Sequence, residues 1–190
     1  MKAAICLIIS VIILLLTIPC KSQDTFTEGY KTAKWGMSKE QVKSEFKDMP
    51  IKDDGSNFNF PTTIANEDVT VMFFFIHDML YQVILGFEIN TSNKNKYIAH
   101  FDSLESLLIE KYGKPSKKVR RGSSNRYIQD ADAIALGEGI YYNEWNTKES
   151  QITLMLSGDK SELNLGIYYL CPALEKEKKK QDKTKAKDNL

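Results

Sequence analysis

Val69-Thr70-Val71-Met72-Phe73-Phe74-Phe75-Ile76-His77-Asp78-Met79-Leu80-Tyr81-Gln82-Val83-Ile84-Leu85-Gly86-Phe87 is the stretch that decides the fold. Two β-branched and aromatic runs, Val69 to Ile76 and Leu80 to Phe87, flank a short polar connection at His77-Asp78 and Met79. Such paired runs read as a β-hairpin. From Met72 to Ile76 both alternating faces carry apolar residues, so this strand is expected inside a sheet and covered on at least one side.

Upstream, Phe58 and Phe60 alternate with Asn57 and Asn59 at strand period, until Pro61 interrupts. Before them lies Trp35-Gly36-Met37-Ser38-Lys39-Glu40-Gln41-Val42. Ser38 is placed to cap a helix, and Gln41 three residues later completes a capping box. Met37 and Val42 flank the cap as a hydrophobic staple, Val42 and Phe46 share one face, and Pro50 stops the helix. Trp35 is expected over the sheet.

Downstream, Ser92 to Asn95 opens the longest helix. Tyr97, Phe101, Leu104, Leu108 and Tyr112 form its apolar stripe, Gly113 ends it in a left-handed conformation, and Pro115 prevents resumption. Lys117 to Asn125 reads as a polar connecting stretch, and Asp130 to Leu136 as a short alanine-rich helix ended by Gly137. Three strands follow, Ile140 to Trp145, Gln151 to Leu156 and Leu163 to Leu170. Helix-then-strands occurs twice, alike in plan rather than in letters. The expected class is α+β, with two helix-plus-antiparallel-sheet halves (about 30–90 and 91–171) packed as one domain over 23–174.

The first 22 residues read as an export signal. Met1-Lys2 gives a positive start, and Ala3 to Ile18 is an apolar run of about 16 residues, short for a membrane span of roughly 20. Cleavage after Ser22 starts the mature chain at Gln23. The rival reading makes Cys20 a lipidated first residue, against which Pro19 stands, and an uncleaved anchor is the third. The expected location is exported, periplasmic or secreted, with membrane association only through a lipidated Cys20 or a retained signal.

Removal of the signal takes Lys2 and Lys21, so 26 basic residues become 24 against 25 acidic. A near-neutral chain gives no argument for a nucleic-acid partner. The basic excess is local, in Glu175 to Leu190, which has seven lysines and four acids and reads as a solvated, disordered tail. Of Cys6, Cys20 and Cys171 only the last outlasts cleavage, so an internal disulfide and a cysteine metal site are excluded for the mature chain. Cys171 follows an aromatic strand and reads as a quiet, partly buried thiol.

The helix start at Trp35 to Val42 is similar to one common in uncharacterised bacterial exported proteins. Those proteins also share an aromatic hairpin, a helix ending like Lys111-Tyr112-Gly113-Lys114-Pro115 and a late Trp strand like Trp145. More distantly, the pattern resembles BamE/SmpA outer-membrane assembly lipoproteins and β-lactamase-inhibitor-like domains. That resemblance implies short helices packed on an antiparallel sheet and a role in binding other proteins. The chain departs from the BamE pattern in its poor lipidation signal and about double length.

The search for chemistry yields no catalytic set. His77 sits with Asp78 in a turn, where aspartate supports the bend. His100 lies on the long helix without a second ligand at helical spacing. Arg120 and Arg121 could hold an anion bidentately beside Ser123 and Ser124, but no general base is local. Gly137-Glu138-Gly139 lacks the lysine and spacing of a phosphate loop. No cofactor or metal is implied. Adjacent tyrosines, Tyr141-Tyr142 and Tyr168-Tyr169, put one ring on each sheet face; with Arg120 and Arg121 they form the expected partner surface. The expected function is non-catalytic binding of a protein in the cell envelope through the sheet or an aromatic groove. The alternative is a small-ligand carrier, or a hydrolase with a site near His77, Arg120 and Arg121.

Overall fold

The computed structural model describes residues 26–125 and 127–188. The segment expected to be an export signal, with Cys20, Ser22 and Gln23, lies outside them. No helix among the described residues is long and apolar enough to cross a membrane.

The chain folds as α+β. A small hairpin, β1 (Gly29–Tyr30) and β2 (Ala33–Lys34), precedes α1 (Lys39–Glu45). Four strands follow: β3 (Lys52–Asp53), β4 (Phe58–Ile64), β5 (Glu67–Ile76) and β6 (Met79–Glu88). Helix α2 (Asn95–Tyr112) leads into β7 (Lys117–Arg121) and the short α3 (Asp130–Ala135). Three strands, β8 (Ile140–Asn146), β9 (Gln151–Asp159) and β10 (Glu162–Leu170), precede the terminal α4 (Pro172–Asp188).

Strands β3 to β10 make one antiparallel sheet in the order β3-β4-β5-β6-β10-β9-β8-β7. The last strand of each half lies at the centre, where β6 pairs with β10 and Gly86 stands opposite Gly166. Tyr168 folds over that glycine pair: a Cβ on Gly166 would lie 3.2 Å from its ring, too close for an unshifted side chain. The His77-Asp78 connection is a two-residue turn with φ of 48° and 61°, the left-handed pair that matches strand twist in tight hairpins.

Both halves of the capping box are present at α1: Gln41 N–H donates to Ser38 Oγ at 3.3 Å, and Ser38 N–H donates to Gln41 Oε1 at 2.8 Å. Gly113 closes α2 at φ 79°, donating its N–H to Ile109 O. Trp35 is buried and donates Nε1–H to Ser150 Oγ at 2.9 Å, tying the start of the chain to the β8–β9 turn. Phe46 of α1 packs on Phe60 and Phe73, with ring centres 5.3 and 5.1 Å apart. Tyr30 packs on Phe73 and Tyr169, and Phe101 of α2 on Tyr141. The hairpin, α1 and α2 therefore cover the same face, whose inward residues include Val71, Val83, Ile152, Leu154 and Leu156.

Three expectations are corrected. Pro61 does not end its strand, because β3 pairs β4 only at Phe58 and Asn59; beyond them β4 is an edge, where a missing N–H costs no ladder bond. The polar stretch after Pro115 begins as β7, an edge strand whose charged residues guard its open side. The tail expected to be disordered is helical. Leu174 anchors it to the core, and ion pairs Glu175–Lys179 (2.7 Å) and Lys178–Asp182 (3.0 Å) run along it at i,i+4 spacing.

Candidate functional site

Helix lengths leave part of the covered face open. Strands β5 and β6 have 10 residues each and extend about 33 Å, whereas α1 has 7 residues and reaches about 10 Å. Alongside α2 a cleft of about 330 Å³ opens over the central seam. Its walls come from the β1–β2 hairpin, the end of β4, the second half of α2 and strands β6 and β10.

The floor is buried and apolar: Leu85, Leu104, Leu108 and Ile167 lie among the lining residues with Tyr30 and Tyr169. At the mouth stand exposed groups, Lys31, Thr63 and Lys111, together with Leu107, which is 50% exposed despite its size. No acidic residue lines the cleft among the described residues. Lys31 Nζ lies 5.6 Å from the Tyr30 ring centre and Lys111 Nζ 5.0 Å from that of Tyr112. Both cations thus sit over tyrosine faces at cation–π range.

Three tyrosines give the cleft its polar character. The Tyr30 and Tyr169 rings are 5.3 Å apart, and Tyr112 lines the same wall. Burial pushes the Tyr30 hydroxyl up to about 12, with Tyr112 adding to it. Burial, then Tyr112 as neighbour and hydrogen-bond partner, raises Tyr169 as well. Both are therefore neutral donors at physiological pH. Tyr30 is 6% exposed, and its hydroxyl has no hydrogen-bond partner among the described residues. A buried hydroxyl without a partner costs about 1–3 kcal/mol.

The sequence-derived partner residues divide. Tyr141 and Tyr169 are each 6% exposed, so neither belongs to a surface; Tyr169 lines the cleft, and Tyr141 donates its hydroxyl proton to Asp130. Tyr142 and Tyr168 are half-buried on the face away from the helices. Arg120 is committed within the fold. It pairs with Asp102 (2.6 Å) and Glu105, and its guanidinium lies 4.8 Å from the ring centres of both Phe101 and Tyr141. Arg121 is exposed. His77 is exposed at the β5–β6 turn, and β10, β9 and β8 stand between β6 and the arginines of β7, about 19 Å of strand spacing. His77 and the arginines are thus not brought together. Asp78 accepts from Lys39 N–H at 2.9 Å, bracing the start of α1. His100 stands 3.3 Å from Glu67.

Glu149, to which spacing in the sequence assigns no second carboxylate, forms a reciprocal clasp with Glu28. Glu28 accepts from Glu149 N–H (3.1 Å), Ser150 Oγ (2.8 Å) and Thr147 Oγ1, while Glu149 accepts from Thr27 N–H and Glu28 N–H, both at 2.8 Å. Their oxygens serve the fold. Cys171 is fully buried, which raises its thiol. No group of three or more His, Cys, Asp or Glu suited to a metal occurs among the described residues. Comparison with protein-family models, curated proteins and solved structures finds no match to this chain.

Proposed function

We propose that this is an exported, non-catalytic binding protein whose recognition element is the aromatic cleft over the β6–β10 seam, filled by a small apolar molecule. The carrying observation is the cleft itself, about 330 Å³ with a buried floor of leucine, isoleucine and tyrosine and no acidic residue among its described lining residues. Ligand sites are concave and mostly apolar, with a few placed polar groups, and the volume falls at the small end of that class. The lining offers tyrosine and lysine donors and leucine and isoleucine surface, which suits holding a molecule rather than transforming it.

A neutral fluorescent probe such as N-phenyl-1-naphthylamine tests this. One saturable site is expected, and Thr63→Trp, which adds bulk at the exposed mouth, should abolish it without loss of the folded state. Absence of saturable binding would remove the proposal. A second reading, docking of an envelope protein, is favoured by the half-buried Met72, Phe74, Ile84, Met155, Tyr142 and Tyr168 on the face away from the helices. Tyr142→Asp should then weaken partner capture while leaving probe binding intact.

A further inference from the structure

Resting on that cleft reading, we infer that the ligand is a single-chain anionic amphiphile, its apolar chain on the leucine floor and its anionic head between Lys31 and Lys111. Charge selects the head. The cleft has two lysines and no acid among its described lining residues. Neither lysine has an ion-pair partner among the described residues, in contrast to Lys39 and Lys43, which pair with Asp53, and to Lys118 and Arg120, which pair with Glu105. Both ammonium groups are held instead over the faces of cleft tyrosines, which leaves their hydrogens free for an anion.

Shape selects the chain. Leu85 and Ile167 from the two central strands and Leu104 and Leu108 from α2 form one buried aliphatic surface, and Leu107 carries it out to the mouth. A continuous apolar path from a buried floor to a basic rim matches a molecule that is apolar along its length and charged at one end.

The experiment is a calorimetric titration of the purified protein with hexanoate, octanoate and decanoate below their micellar concentrations. Alkyltrimethylammonium salts and alkanols of equal chain length serve as controls. Carboxylates should occupy one site, with affinity rising about fourfold per added methylene until the floor is filled. Lys111→Gln and the Lys31→Gln/Lys111→Gln pair should each lower carboxylate affinity, the pair by about tenfold or more, while alkanol affinity stays unchanged. Equal affinity for carboxylate, alkanol and ammonium would overturn the anionic assignment and leave the cleft as a binding site. No binding of any amphiphile would overturn both readings. Association with phosphatidylglycerol vesicles without binding of free carboxylates would overturn it in favour of a lipid surface.

Discussion

Among the described residues, two buried polar side chains without hydrogen-bond partners, Tyr30 and Asn143, mark where this molecule departs from a minimal-energy design. Tyr30→Phe deletes only the orphan hydroxyl and keeps the ring contacts with Phe73 and Tyr169. The free protein should gain about 1 kcal/mol, read as a raised thermal midpoint, while alkyl carboxylate affinity is unchanged because the hydroxyl does not reach the cleft surface. A midpoint that does not rise would show that the hydroxyl is satisfied in solution. Asn143 is fully buried on β8 between Leu154 of β9 and Lys118 of β7, and neither side-chain polar atom has a partner. Asn143→Val should stabilise by about 1–2 kcal/mol in denaturant unfolding, because the amide's desolvation is uncompensated and valine suits a strand. Ser38→Ala should lose about 1 kcal/mol with its cap. The cap and the Gly113 stop were legible in the sequence because their signals lie within a few residues. The isolation of Tyr30 and Asn143 was not, since it depends on which groups distant segments bring near.

At the scale of elements, β7 is tied to α2 by two cations, Arg120 and Lys118. Arg120 joins the edge strand to Asp102 and to Glu105, which is 6% exposed, and stacks on Phe101 of the same helix. Arg120 and Asp102 are partly exposed and Lys118 stays beside Glu105 when the arginine is removed, so screening and the second cation limit the loss. Arg120→Ala should therefore cost about 1 kcal/mol and speed amide exchange first in Lys117–Arg121. Arg120→Lys should restore only part of this, because an ammonium cannot fork between two carboxylates and stack on two rings. Edge strands escape pattern reading for the same reason that they are stable: β7 carries Val119 as its single apolar residue, and charge takes the place of alternation. The two-residue strands β1, β2 and β3 are too short to show a period. The tail misled in the opposite direction, since composition signalled disorder while its i,i+4 spacing, readable in the sequence, supports a helix.

For the whole molecule, the two helix-plus-strand halves were readable from periodicity, whereas their fusion into one sheet was not. The β6–β10 seam joins residues such as Leu85 and Ile167 that no local pattern relates, and the cleft above it is lined by segments as far apart in sequence as Gly29 and Tyr169. Closure of the molecule depends on ionised carboxylates in the same long-range way. At Glu28 burial alone would raise the carboxyl, but hydrogen bonds from Thr147, Ser150 and Glu149 N–H outweigh it and hold it low; Glu149 is lowered by Glu28 N–H and Thr27. Burial also opposes ionisation at Glu105, where Lys118 and Arg120 prevail, and Tyr141 and Ser123 N–H lower Asp130. Each group binds its proton more weakly folded than unfolded, where carboxyls titrate near about 4. Their stabilisation is thus complete above the unfolded values and is lost as pH falls through the depressed folded values. The thermal midpoint should be flat from pH 7 to about pH 5 with respect to these groups and fall steeply below about pH 4. Glu149→Ala breaks the clasp between the start of the chain and the β8–β9 turn. It should lower the neutral-pH midpoint and shrink the acid drop together, since the same hydrogen bonds produce both. An acid limb as steep in Glu149→Ala as in the parent would show that the clasp does not couple protonation to folding.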